Sequence, residues 1–131
     1  MSIEYVPHLE PFAERHFVSS FSKKYKSAWD VTWKGLLDEF KNFDVLIAKS
    51  NATTIVHSER VKVFKVDFRV HGTEKSRRGS GNRYIVALHA DTADARILLV
   101  YCKTDVRGSR ETDWWKGLVC DNYPQYRGFF R

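Results

Sequence analysis

The chain has 131 residues, 43% of them hydrophobic and 15% aromatic. That length and composition predict one domain (1–131) with its own core and exclude a largely disordered chain. Lysine and arginine outnumber aspartate and glutamate 22 to 16, and the resulting net charge of +6 favours an anionic partner: nucleic acid, an acidic protein or an acidic membrane surface.

Two cysteines, Cys102 and Cys120, lie outside any CxxC pair and imply neither a disulfide framework nor a zinc site. The longest apolar run, from Ile97 to Cys102, is too short to cross a bilayer. The start, Met1-Ser-Ile-Glu-Tyr5, lacks the basic and apolar regions of a signal peptide. The expectation is a cytoplasmic protein with reduced thiols.

Residues 2–6 read as a short strand. From His8 to about Tyr25, Leu9, Phe12, Ala13, Phe17 and Phe21 recur at helical spacing, with His16 and Ser20 on the same stripe. Lys23, Lys24 and Lys26 follow, as a helix C-terminus prefers. A second helix is predicted from about Ala28 to Phe43, extending towards Lys49, with Trp29, Trp33, Leu36, Leu37, Phe40 and Ile47 on its buried face. Two adjacent amphipathic helices form an αα-hairpin that must bury its stripes on something else.

That partner is a sheet. Phe64, Val66, Phe68 and Val70 alternate with Lys65, Asp67 and Arg69, the pattern of a half-buried strand with a polar outer face. The turn Lys75-Ser-Arg-Arg-Gly-Ser-Gly-Asn-Arg83 then packs four cations and two glycines into nine residues. Gly79 and Gly81 permit positive φ or a close approach, and the cations suit phosphate. Arg83 to Ala90 is a second strand, Asp91-Thr-Ala-Asp94 a hairpin turn, and Arg96 to Lys103 a very apolar, central strand.

The remainder, about 109–131, is an aromatic extension holding a short helix, with Thr112 or Asp113 as its cap and Glu111 near its positive end. Trp114-Trp115 reads as a packing anchor. The expected fold is α+β: an N-terminal strand, a two-helix hairpin on one face of a small antiparallel sheet, and a short C-terminal helix.

The outer face of that sheet collects Lys65, Arg69, Arg83 and Lys103, and the loops add Lys75, Arg77, Arg78, Arg107 and Arg110. Tyr84, Tyr101 and His89 are candidates to stack on bases. No Ser-His-Asp elbow, P-loop, HExxH or GxGxxG motif is present. Of the scattered histidines, His16 reads as a core residue, while His71 and His89 at strand ends remain open as acid–base groups. Cys102 reads as an inert buried thiol.

Over residues 2–107 the chain resembles the RelE/ParE superfamily of toxins from type II toxin–antitoxin systems. Ile3-Glu-Tyr-Val-Pro-His8 and Phe12-x4-Phe17-x3-Phe21-Ser-Lys-Lys-Tyr25 are similar to its first strand and helix. Phe64-Lys-Val-Asp-Phe-Arg-Val-His-Gly72 resembles its second strand. Lys75-Ser, then Gly81-Asn-Arg83-Tyr-Ile-Val, resembles its turn into an arginine-bearing strand. Ile97-Leu-Leu-Val-Tyr-Cys-Lys-Thr-Asp105 resembles its last strand.

The resemblance implies a ribosome-dependent messenger-RNA endonuclease that inhibits translation, or in the ParE branch a DNA gyrase inhibitor. A catalytically degenerate RNA-binding homologue is the third alternative. Carried over residue by residue, the catalytic positions are Lys65, Arg83 and Lys103, with Arg69, Lys75, Arg77, Arg78 and Arg107 as RNA-binding positions. Cations would stabilise the charge of phosphate attack by the 2′-hydroxyl, an arginine would clamp the phosphate, and a lysine crowded by other cations would act as base. That chemistry implies no metal or other cofactor. The implied partners are the ribosome, messenger RNA and a cognate antitoxin whose acidic or partly disordered segment folds onto the basic face. The sequence departs from the family at Asp67, where some members carry a second basic residue. It also lacks a tyrosine soon after Lys103; Tyr123 and Tyr126 are too distant to map.

Overall fold

The computed structural model describes residues 3–49, 51–73, 75–108 and 110–130. In chain order the first half comprises β1 (Val6–Leu9), α1 (Pro11–Ala13), a π-helical turn (Glu14–Val18), α2 (Ser19–Tyr25), α3 (Ser27–Glu39), a 3-10 turn (Phe40–Asn42) and α4 (Phe43–Ala48). The second half comprises β2 (Ala52–His57), β3 (Val61–Phe68), β4 (Asn82–His89), β5 (Asp94–Cys102), a 3-10 turn (Lys103–Asp105), α5 (Glu111–Asn122) and a closing 3-10 stretch (Pro124–Phe130).

The α+β class is as expected, but the sheet is larger and its surroundings differ. Five strands lie in the order β1-β5-β4-β3-β2. β1 pairs with β5 in parallel, Val6 opposite Asp94 and Leu9 opposite Ile97, so the sheet is mixed rather than antiparallel. The parallel pair arises because the whole helical segment and three strands separate β1 from its neighbour. β2 is an additional edge strand. The N-terminal strand begins at Val6 instead of spanning 2–6, of which Ser2 lies outside the described residues.

The helices cover one face as their stripes require. Phe21, Trp29, Leu36, Phe40, Phe43 and Leu46 pack on Phe64, Val66, Phe68, Tyr84, Val86 and Ile97. Lys26, at φ 52°, makes the sharp break between α2 and α3. His16 is exposed, not in the core, because the π-helical turn shifts the stripe; its ring lies 4.6 Å from that of Phe12.

The opposite face is not open to solvent. α5 and the closing stretch lay Trp115, Val119, Tyr123 and Tyr126 over Val61, Val63, Ile85, Ala87 and Leu99, giving three layers. The Tyr123 hydroxyl donates to the Leu98 carbonyl at 2.7 Å, and the Tyr126 hydroxyl lies 2.7 Å from His89 Nε2. α5 begins after Arg110 with no side-chain cap, so neither Thr112 nor Asp113 fills that role. Trp115 is the expected packing anchor, fully buried. Among the described residues no helix is long and apolar enough to cross a membrane.

Two contacts tie the sheet ends down. Thr32 on α3, buried, donates to the Ala28 carbonyl at 2.8 Å and accepts from the His71 backbone N–H at 2.7 Å, holding the segment after β3 against the helix. Thr32→Val keeps the shape and strands that N–H, so urea unfolding should show a loss of about 1–3 kcal/mol.

At the other end His8 Nε2 donates to Asp94 Oδ1 at 2.8 Å, across the parallel pair. This bond, with a second from Thr92, holds the Asp94 carboxyl below its ordinary value of 3.8. A carboxyl depressed by folding stabilises the fold above its unfolded value, and that contribution is lost as pH falls through the folded one. Amide protection along β1, measured relative to intrinsic exchange, should therefore fall below about pH 4, and Asp94→Asn should flatten that fall.

Candidate functional site

The outer face of the sheet changes character along its strands. On β3 it runs Val61, Val63, Lys65, Asp67, and on β4, read backwards, His89, Ala87, Ile85, Arg83. The apolar end lies beneath α5 and the charged end lies at the margin where α5 begins. Register places Asp67 opposite Arg83, and Arg83 opposite Tyr101, in one row across three strands.

Arg83, with only 11% of its side chain exposed, is the centre of this row. Its Nε lies 2.9 Å from Glu111 Oε2 and 3.3 Å from Asp67 Oδ1. Glu111 is the first residue of α5 and 19% exposed. The same Glu111 Oε2 accepts from the Tyr101 hydroxyl at 2.7 Å and stands 4.0 Å from Lys65 Nζ. Arg78, largely exposed, reaches Asp67 Oδ2 at 3.8 Å. Three cations thus surround two carboxylates.

The pairing is close in distance yet incomplete in hydrogen bonding. Arg83 Nε and Nη1 and Asp67 Oδ1 are buried with no well-directed hydrogen-bond partner. Burial, then the bond to Glu111, pushes the Tyr101 hydroxyl far above the usual phenol range, so it stays a donor.

The basic turn is held by its own hydroxyls. Ser80 Oγ lies 2.6 Å from the Phe68 carbonyl and 2.7 Å from the Arg77 carbonyl, while the Gly79 N–H donates to Ser76 Oγ at 3.0 Å. Gly81 adopts φ +77° beside Lys103, whose N–H donates to the Gly81 carbonyl at 2.7 Å. Gly79 does not adopt positive φ; an added Cβ there would stand 2.8 Å from Ser76 Oγ and displace that hydroxyl.

The predicted cations do not form one patch. Lys65, Arg78 and Arg83 converge on the two carboxylates, and Lys103 is exposed at the margin opposite Gly81. Arg77 turns to the helical side, where its guanidinium pairs with Glu39 at 3.2 and 3.3 Å and its Nε donates to the Asp67 carbonyl. Arg69 lies beyond the end of β3, where strand alternation no longer applies. It lines a groove of about 430 Å³ with Val31, Gly35, Glu39, His71 and Arg77. Lys75 lines a separate groove with Tyr25, Thr73 and Asn82, and Arg107 donates to the Thr104 carbonyl at 2.7 Å.

The expected base-stacking surface is absent as drawn. Tyr84 faces the helices and is buried, Tyr101 is buried beneath Trp114, and His89 is bonded to Tyr126. Cys102 is half-buried rather than fully enclosed, beside Ser20, Tyr25 and Asn82. Lys65 faces a carboxylate, the reverse of the cationic crowding that a lysine base requires. Glu111 is the site residue that sequence reasoning placed only near a helix terminus.

Among the described residues no group of three or more His, Cys, Asp or Glu side chains is arranged to hold a metal ion. No protein-family model, curated protein or solved structure matches the chain.

Proposed function

We propose that the chain is a RelE-like toxin of a type II toxin–antitoxin system, an endonuclease that cleaves messenger RNA on the ribosome. One observation carries this reading. Lys65, Arg83 and the Tyr101 hydroxyl, from three adjacent strands, all lie within 4.0 Å of a single carboxylate oxygen. A donor set that holds one oxyanion this way also suits a phosphodiester oxygen in the attack of a neighbouring 2′-hydroxyl.

In that chemistry the 2′-hydroxyl gives its proton to water as its oxygen bonds to phosphorus, the phosphorus–5′-oxygen bond breaks, the 5′-oxygen takes a proton from water, and a 2′,3′-cyclic phosphate remains. Arg83 holds the phosphate, while Lys65 and Lys103 offset the developing charge. Arg78 and Lys103, exposed at the rim, are the surface for RNA and for the acidic segment of an antitoxin. The α+β class is compatible with the family resemblance, while the five-stranded mixed sheet is larger than the small antiparallel sheet that the resemblance implies.

A second reading, an RNA-binding homologue without catalysis, is favoured by the burial of Arg83 against two carboxylates. A translating extract with labelled messenger, and in parallel a gyrase supercoiling reaction, separates the alternatives. The endonuclease reading expects messenger shortening only when ribosomes are present, with supercoiling unaffected. Inhibited supercoiling with intact messenger would assign the chain to the gyrase-directed branch. Intact messenger and normal supercoiling from folded protein would leave the non-catalytic reading.

A further inference from the structure

We infer that Glu111 occupies the phosphate site as an internal stand-in, and that its carboxylate must withdraw before an RNA phosphodiester can enter. The inference rests on the phosphate-binding reading above and adds to it a regulation of the same site.

The first argument is the convergence. Arg83 Nε at 2.9 Å, the Tyr101 hydroxyl at 2.7 Å and Lys65 Nζ at 4.0 Å all address Glu111 Oε2, and Arg83 and Lys65 are cations. A phosphate oxygen and a carboxylate oxygen compete for such donors on equal terms.

The second argument is what the carboxylate leaves undone. With Glu111 in place, Arg83 Nη1 is still buried and without a hydrogen-bond partner. The carboxylate takes a hydrogen bond from the Tyr101 hydroxyl alone and meets Arg83 and Lys65 only as ion pairs. A tetrahedral phosphate brings further acceptors, which is the missing complement.

The third argument concerns what can move. Glu111 does not come from the sheet. It stands at the start of α5, just after a loop that contains Gly108 at φ +73°. The apolar hold on α5 and the closing stretch is centred on Trp115, Val119, Tyr123 and Tyr126, further along the chain. Rotation of the Glu111 side chain opens the site while Trp114 stays on Tyr101 and that core remains covered. Asp67, 3.3 Å from Arg83 Nε, remains as counter-ion when Glu111 leaves.

The test uses the full chain and inorganic phosphate, with neither RNA nor ribosomes. Phosphate titrations followed by thermal melting and by the Arg83 Nε–H resonance compare wild type with Glu111→Gln. Glu111→Gln should bind phosphate about tenfold or more tightly than wild type, with a melting temperature that rises with phosphate. Adding Arg83→Lys to Glu111→Gln should abolish the gain.

Should Glu111→Gln fail to fold, Glu111→Asp, whose shorter side chain retreats from the donors, should show an intermediate gain. Equal phosphate affinity in wild type and in the folded variant overturns the inference. The functional reading fails separately. Wild-type messenger cleavage without a phosphate gain in Glu111→Gln sinks only the stand-in role, and a phosphate gain in a protein that never cuts RNA sinks only the endonuclease.

Discussion

Trp115→Ala is expected to destabilise the chain by about 3–5 kcal/mol, the largest effect of any single substitution proposed for it. Trp115 is completely buried on the outer face of the sheet, against the Phe130 ring at 5.7 Å and the side chains of that face. Truncation removes the transfer energy of an indole and leaves a cavity that strands β3, β4 and β5 cannot close, because their other face is fixed by the helical layer. Its indole N–H is buried without a hydrogen-bond partner, so no lost bond adds to the cost and removal of the unmade donor offsets part of it. Such a loss is a large share of the total stability of a domain this size. Urea unfolding monitored by tryptophan fluorescence measures it. A loss below about 1 kcal/mol would mean that α5 contributes little to the core.

The second large effect concerns the two carboxylates together. Asp67→Asn or Glu111→Gln alone leaves Arg83 with one charged partner and should cost about 1 kcal/mol. The double variant leaves a guanidinium, 11% exposed, with no counter-ion, and should cost about 3–5 kcal/mol. The two substitutions are therefore expected to be strongly non-additive, as groups sharing one partner are. A double-mutant cycle in urea gives the coupling directly. Additive losses would show that Arg83 finds solvent or Tyr101 sufficient and that the ion cluster is not a unit.

How much of this was legible in the sequence depends on what each residue faces. The alternation of Phe64, Val66 and Phe68 marked β3 because one face of that strand ends in charge. β4 alternates poorly because both of its faces are buried, Tyr84 and Val86 on one side and Ile85 and Ala87 on the other. That apolar run was itself the signal for a third layer, since an open outer face would have carried polar side chains. β2 escaped because an edge strand with exposed Thr53 and Thr54 has little periodicity, although its β-branched run is a strand signature.

The site was half legible for the same reason. Lys65 and Arg83 were identifiable from strand pattern and from the family resemblance, and Asp67 stood out as an acid among cations. Its register opposite Arg83 depends on the turn length, which the sequence pattern does not give. Glu111 reaches the cluster through tertiary packing of α5, and no local feature of Arg110-Glu-Thr-Asp113 announces it. Arg69 was misplaced because alternation was extended past the last paired residue, Phe68, and Arg77 because the turn folds it back onto Glu39 of α3.

The central claim is that Arg83 and Lys65 act on an RNA phosphate. The most direct test is single-turnover cleavage of messenger on programmed ribosomes by wild type, Arg83→Lys, Arg83→Ala and Lys65→Ala, with melting curves run on each. The account predicts a fall of about 10²–10³-fold for Arg83→Ala. Arg83→Lys should also fall sharply because it keeps the charge and loses the planar fork, and Lys65→Ala should show a smaller loss. Cleavage at the wild-type rate by folded Arg83→Ala and Lys65→Ala proteins would contradict it.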